Sequence, residues 1–120
     1  MAYGFLRFRP SRVEVTGPSM VPTLMPGDWA MAIAAKRPRR GDVVVVQHPD
    51  REGFEMVKRL VGTPGDIMAG GRVLGPDEWW VEGDDRDRST DSRRFGPVSR
   101  AAIVARVRLI YWPPERRRLL

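Results

Sequence analysis

The chain has no cysteine and a single histidine, His48. The first absence excludes a disulfide framework, a thiol nucleophile and thiolate metal sites. The second excludes a multi-histidine metal centre. A hydrolase built from this sequence has to work with hydroxyls, lysine, carboxylates or that one imidazole, and neither a metal nor another cofactor is expected. Long apolar runs are also missing. The longest, residues 29–35, falls far short of the ~20 residues that span a bilayer and reads as a strand. The opening segment Met1-Ala2-Tyr3-Gly4-Phe5-Leu6-Arg7-Phe8-Arg9-Pro10 has no apolar core of the kind a secretory signal needs. The expectation is a soluble, cytoplasmic chain. Its residues 1–11 form an N-terminal arm or edge strand, and peripheral membrane contact through that basic, aromatic arm is the alternative.

What is present suits one folded domain. The 120 residues are enough for one core and not for two. Eleven prolines and twelve glycines punctuate short apolar runs, which favours a mainly β fold with many turns. Strands are predicted over residues 13–16, 28–35, 43–46, 55–62, 73–74, 79–82 and 103–112. The run Val43-Val44-Val45-Val46 is too uniform to be amphipathic and is expected to be buried on both faces. Ser99 is placed to cap a helical turn, and residues 115–120 read as a frayed end. The division is then the arm, a catalytic domain over 12–112 and a basic tail over 113–120. The net charge of +6 is carried mostly by arginine, with clusters at Lys36-Arg37-Pro38-Arg39-Arg40 and Arg116-Arg117-Arg118. Fifteen acidic residues are interspersed with them. That mixture favours a solvated surface over a nucleic-acid footprint, and no nucleic-acid partner is expected.

The stretch with the most constrained chemistry is Gly17-Pro18-Ser19-Met20-Val21-Pro22-Thr23-Leu24-Met25-Pro26-Gly27-Asp28. Gly17 and Pro18 break the strand before it, so Ser19 is presented on a turn and the prolines around it limit its motion. Downstream, Gly41-Asp42-Val43-Val44 opens a strand. Lys58 and Arg59 follow within Val57-Lys58-Arg59-Leu60-Val61-Gly62-Thr63-Pro64-Gly65-Asp66. The charged loop Gly83-Asp84-Asp85-Arg86-Asp87-Arg88-Ser89-Thr90-Asp91-Ser92-Arg93 comes last. By composition alone that loop is a solvated surface, and Lys58 alone is a solvated strand lysine. His48, in a polar hairpin loop before Pro49, reads as a surface histidine, with a role as general base for Ser19 as the sharper alternative.

These four blocks, in this order, resemble the type I signal peptidase family, serine proteases that use a Ser/Lys dyad. Residues 19–28 match each fixed position of its serine motif, Ser-Met-x-Pro-Thr-Leu-x-x-Gly-Asp. The loop at 83–93 departs from the family only at Asp85, where Asn is usual. The resemblance covers roughly residues 12–108. It implies a fold of coiled antiparallel sheets, of the type also found in self-cleaving repressor domains. It also implies Ser19 as nucleophile, Lys58 as base and Ser89 as the hydroxyl that orients the lysine. Asp91 and Arg93 would brace the loop as a salt bridge, with Asp84 and Arg86 adding support.

A serine hydroxyl needs a base beside it, and a lysine serves only when neutral. Its pKa has to fall from about 10.4 to roughly 7–8, and burial is the available cause. The Ser19 backbone N–H is the expected oxyanion donor. Many relatives add a hydroxyl two residues before the nucleophile. Here that residue is Gly17, and Pro18 has no N–H to give. By the resemblance, substrate lies as an extended strand between the segment before Ser19 (Val15, Gly17, with Met20) and the segment before Lys58 (Met56, Val57). The implied partner is a precursor protein with an N-terminal leader. The absence of a long apolar run points within the family to the soluble branch that matures nickel-type superoxide dismutase. A membrane-docked signal peptidase is the alternative, and a basic nucleic-acid-associated regulator ranks below both. The eighteen residues before Ser19 hold neither a DNA-binding domain nor a cleavable Ala-Gly or Cys-Gly segment.

Overall fold

The computed structural model of the protein describes residues 11–120; the expected N-terminal arm, apart from Ser11, lies outside the described residues. Seven strands form one antiparallel sheet: β1 (Ser11–Glu14), β2 (Trp29–Ala34), β3 (Val43–Gln47), β4 (Glu55–Gly62), β5 (Trp80–Glu82), β6 (Ile103–Trp112) and β7 (Arg118–Leu119). The spatial order is β1-β2-β6-β3-β4-β5. The long β6 is the spine. One of its edges pairs with β2, and the other pairs with β3 near its start and with β7 near its end. The fold is mainly β and antiparallel, as the sequence predicts, in a single sheet. Register shifts in β2, between Val45 and Val46, and between Leu60 and Gly62 bend it. Residues 73–74 form no strand; Val73 makes only an isolated bridge with Ile67.

The valine run of β3 is buried throughout, and its period-two alternation serves two cores. Val43 and Val45 join Val15, Met20, Leu24, Ala30, Ala32, Val107 and Ile110 on one face. Val44 and Val46 join Leu60, Val81, Val98 and Ile103 on the other. Met20 and Leu24, from the segment that follows Ser19, are among the most deeply buried side chains. The serine-bearing segment is therefore pinned by its own hydrophobic residues.

The C-terminal end differs from expectation. Arg118 and Leu119 pair with Ile110 and Leu109, and the Leu120 N–H donates to the Arg108 carbonyl. Two of the arginines that make this segment look like a solvated tail, Arg116 and Arg118, contact residues far away in sequence, and Arg117 bonds the nearby Tyr111 carbonyl. The helical turn at Arg100–Ala102 forms as predicted, with the Ser99 side chain accepting from the Ala102 N–H.

Candidate active site

The segment from Ser19 to Asp28 is a string of turns. Val21 N–H bonds the Pro18 carbonyl, Leu24 N–H bonds Met20, and Asp28 N–H bonds Met25. Gly27 sits at φ +94°, the third position of that last turn, where a side chain would be strained. Ser19 itself is half-buried. Its carbonyl accepts from the Asp85 N–H at 2.8 Å, and among the described residues its own N–H has no hydrogen-bond partner.

Lys58 enters from β4. Alternation puts it on the same face as Met56 and Leu60, directly across from the buried Val44. It is only 5% exposed. Burial in this apolar setting pushes its pKa below that of an ordinary lysine. The Asp91 charge opposes that shift and the Arg93 charge reinforces it. Lys58 Nζ donates to Ser89 Oγ at 3.1 Å, and Ser89 Oγ donates to Asp91 Oδ2 at 2.7 Å. With the hydroxyl proton committed to Asp91, the lone pairs of Ser89 face the amine.

Asp91 is 1% exposed. It accepts from the N–H groups of Gly83 and Arg93 and from the Arg93 guanidinium at two points, 2.9 and 2.7 Å. Burial alone would raise its pKa. The bonds from Arg93, Ser89 and the two backbone donors outweigh it and hold the carboxyl at about 2. Asp84 is held by Arg59, at 3.1 and 2.7 Å, together with the Thr23 hydroxyl. Arg86 contributes its carbonyl, which accepts from Arg93. The side chain of Asp85, the one departure from the family pattern, pairs with Arg88, while its backbone contacts Ser19.

Ser19 and Lys58 open on a common cleft of about 520 Å³. One wall is residues 12–17 and Met20; the other is residues 54–57, so Val15, Gly17, Met20, Met56 and Val57 all line it. Among the described residues two strand edges are unpaired at this place: β1 pairs with β2 alone, and β4 pairs with β5 from Arg59 onward. His48 also lines the cleft, its ring tilted against Phe95 and edge-on to Phe54. Its Nδ1 accepts from the Asp50 N–H at 3.0 Å. The neutral ring therefore carries its proton on Nε2 and has no lone pair free for a serine hydroxyl.

Two features of the site carry no local signal. Arg59 is the residue after Lys58, and alternation along β4 sends its side chain to the other face, toward Asp84. Gly83 lies so close to its neighbours that a Cβ there would collide with the Ser89 side chain and stand 2.6 Å from the Ser19 carbonyl oxygen. It is the point where the two halves of the site touch.

The family described as signal peptidase, peptidase S26, matches residues 1–69 and 67–112, and the chain belongs to that family. Among similar curated proteins is mitochondrial inner membrane protease subunit 1 of Xenopus tropicalis, 34% identical over 116 residues, covering 86% of this chain and 70% of the relative. Mitochondrial ATP-independent inner membrane protease subunit 1a of Arabidopsis thaliana is 37% identical, covering 91% and 74%. Mitochondrial inner membrane protease subunit 2 of Mus musculus is 33% identical, covering 86% and 67%. Among the described residues no helix is long and apolar enough to cross a membrane.

The close approach at Gly83 predicts that Gly83→Ala destabilises the fold by about 1–3 kcal/mol, the usual cost of forcing a methyl into a packed site. Denaturant unfolding measures this. A variant with wild-type stability would show that Ser89 and the Ser19 carbonyl have room to yield.

Proposed function

We propose that this chain is a serine endopeptidase in which Ser19 is the nucleophile and Lys58 its general base, and that it removes an N-terminal leader from a precursor protein. The observation that carries this reading is a buried lysine, shifted toward its neutral form, bonded to Ser89 and sharing one cleft with a turn-borne serine. A neutral amine has a lone pair as well as its N–H bonds. Ser89 takes one N–H, and the lone pair is left to accept the Ser19 proton.

The steps follow from these positions. Ser19 Oγ adds to the scissile carbonyl carbon as its proton passes to Lys58 Nζ. The Ser19 N–H donates to the oxyanion. Collapse of the tetrahedral species breaks the C–N bond, and the leaving amine, the new N-terminus of the mature protein, takes the proton from Nζ. Water then repeats the addition on the acyl-serine and releases the leader. The leader would lie extended between the edges of β1 and the first half of β4, unpaired among the described residues, where backbone N–H and C=O groups supply alignment. Small side chains, typically Ala, are expected before the scissile bond, in keeping with the family.

The precursor proposed is that of a nickel-type superoxide dismutase, supported by a sequence with no apolar run near ~20 residues. A second reading, cleavage of a precursor at a membrane with this chain in peripheral contact, is favoured by the relatives' names, which place those proteins as inner membrane proteases.

Intact-mass analysis of two precursors, a leader-bearing nickel superoxide dismutase and a signal-peptide protein presented with lipid vesicles, separates the substrates. In either case Ser19→Ala and Lys58→Ala should lower the rate by at least ~10²-fold while His48→Ala retains it. Loss of activity in a folded His48→Ala would overturn the lysine assignment. The pH profile gives a further expectation. A base works deprotonated, so kcat/KM should rise with pH through a midpoint below the ordinary lysine value. Arg93→Gln removes a charge that favours neutral Lys58 and should move that midpoint upward. An unmoved midpoint would disconnect the limb from Lys58.

A further inference from the structure

The segment after β6 lies beyond the residues matched by the family, which end at 112, yet it reaches the serine-bearing loop at two points. Arg116 forks onto the Asp28 carboxylate at 2.7 and 2.9 Å, and Arg118 donates to the Thr23 carbonyl at 3.2 Å. Asp28 is 1% exposed. It stands at the far end of the loop that begins at Ser19, and its bonds tie that loop to itself. The carboxylate accepts from the Met25 N–H at 2.9 Å, and the Asp28 carbonyl accepts from the Val15 N–H at 2.9 Å. Val15 in turn accepts from the Gly27 N–H at 2.8 Å. Both ends of the loop are thus fastened beside one carboxylate, and that carboxylate is satisfied from outside by one guanidinium. Thr23 continues the connection, since its hydroxyl bonds Asp84, which holds Arg59 beside Lys58.

We propose that Arg116 is a positioning residue for Ser19, acting through Asp28 to hold the nucleophile loop in register with the lysine side of the site. The proposal rests on Ser19 being the nucleophile. Arg116 touches neither the cleft nor the reacting atoms; it sets where the loop sits. The chain beyond β6 is held in place for this by the pairing of β7 with β6 and by the Leu120 bond to Arg108. A lysine at 116 would bring the charge but not the two-point fork.

Removing Arg116 alone leaves a buried carboxylate without its partner and lowers stability for that reason. The informative variant is therefore the double change Asp28→Asn with Arg116→Gln, which removes the charge and the guanidinium together. Amide hydrogen exchange and steady-state cleavage of a leader peptide would be measured on it at one temperature, well below its unfolding. The expected result is exchange at Val21 and Leu24 faster by tenfold or more, with β3 and β4 amides unchanged. Alongside it, kcat should fall about tenfold or more while KM stays within about twofold, the signature of a misplaced nucleophile. Arg116→Lys should restore only part of kcat. Unchanged exchange at Val21 and Leu24 would overturn the clamp, with or without a cleavable substrate in hand. A loosened loop with wild-type kcat would overturn the positioning role. The control separates this from the underlying reading: if Ser19→Ala keeps full activity, it is the nucleophile assignment that fails.

Discussion

A carboxylate withdrawn from water has to collect donors, and Asp91 collects five bonds: two from backbone N–H groups, one from Ser89 and two from the Arg93 guanidinium. The order of the site descends from that cluster. The carboxylate fixes the direction of the Ser89 hydroxyl proton and so turns its lone pairs toward Lys58. It holds Gly83 against Ser89 and the Ser19 carbonyl. It also starts the short helix α1 (Ser92–Phe95), whose Ser92 Oγ accepts from the Val81 N–H of β5. Arg93 does more than pair. A bare negative charge next to Lys58 would keep the amine protonated, and the adjacent guanidinium offsets that field. Desolvation by Val44, Met56 and Leu60 can then decide the lysine's state.

The sheet supplies the other half of the arrangement. β3 is buried on both faces and separates two cores, and β4 beside it presents Lys58 to one of them. Among the described residues β5 covers only the second half of β4 and β1 is an outer strand, so two lengths of backbone left unpaired by them border the same cleft. Unpaired edges are normally blunted to prevent unwanted pairing. Here they flank a serine and a buried lysine in a member of the signal peptidase, peptidase S26, family.

Most of the fold was legible in the sequence. The valine run of β3, the apolar stretch of β2 and the alternation in β6 sit within one or two residues of their predicted bounds, because β-branched content and period-two patterning are local properties. The resemblance named Val15, Gly17, Met20, Met56 and Val57 beside Ser19 and Lys58, and all seven line the cleft. Local reading failed where partners are distant. Asp84 was expected only to support the loop, and nothing in the motif names its partner Arg59, 25 positions away. The Arg-rich C-terminus was read as frayed because nothing in its composition shows that Arg116 meets a carboxylate 88 positions earlier. The closeness of Gly83 to Ser89 and Ser19 is likewise a product of tertiary packing, and a glycine in a charged loop does not announce it.

The sequence holds only two lysines, Lys36 and Lys58, which makes the central claim open to direct measurement. Their side-chain NMR signals, followed through a pH titration and assigned with Lys36→Arg, would report each amine separately. The expected result is that Lys58 titrates distinctly below the ordinary lysine range, with its midpoint rising in Arg93→Gln. A Lys58 that titrates in the ordinary lysine range would mean that the amine stays charged at neutral pH, and would contradict its role as the base for Ser19.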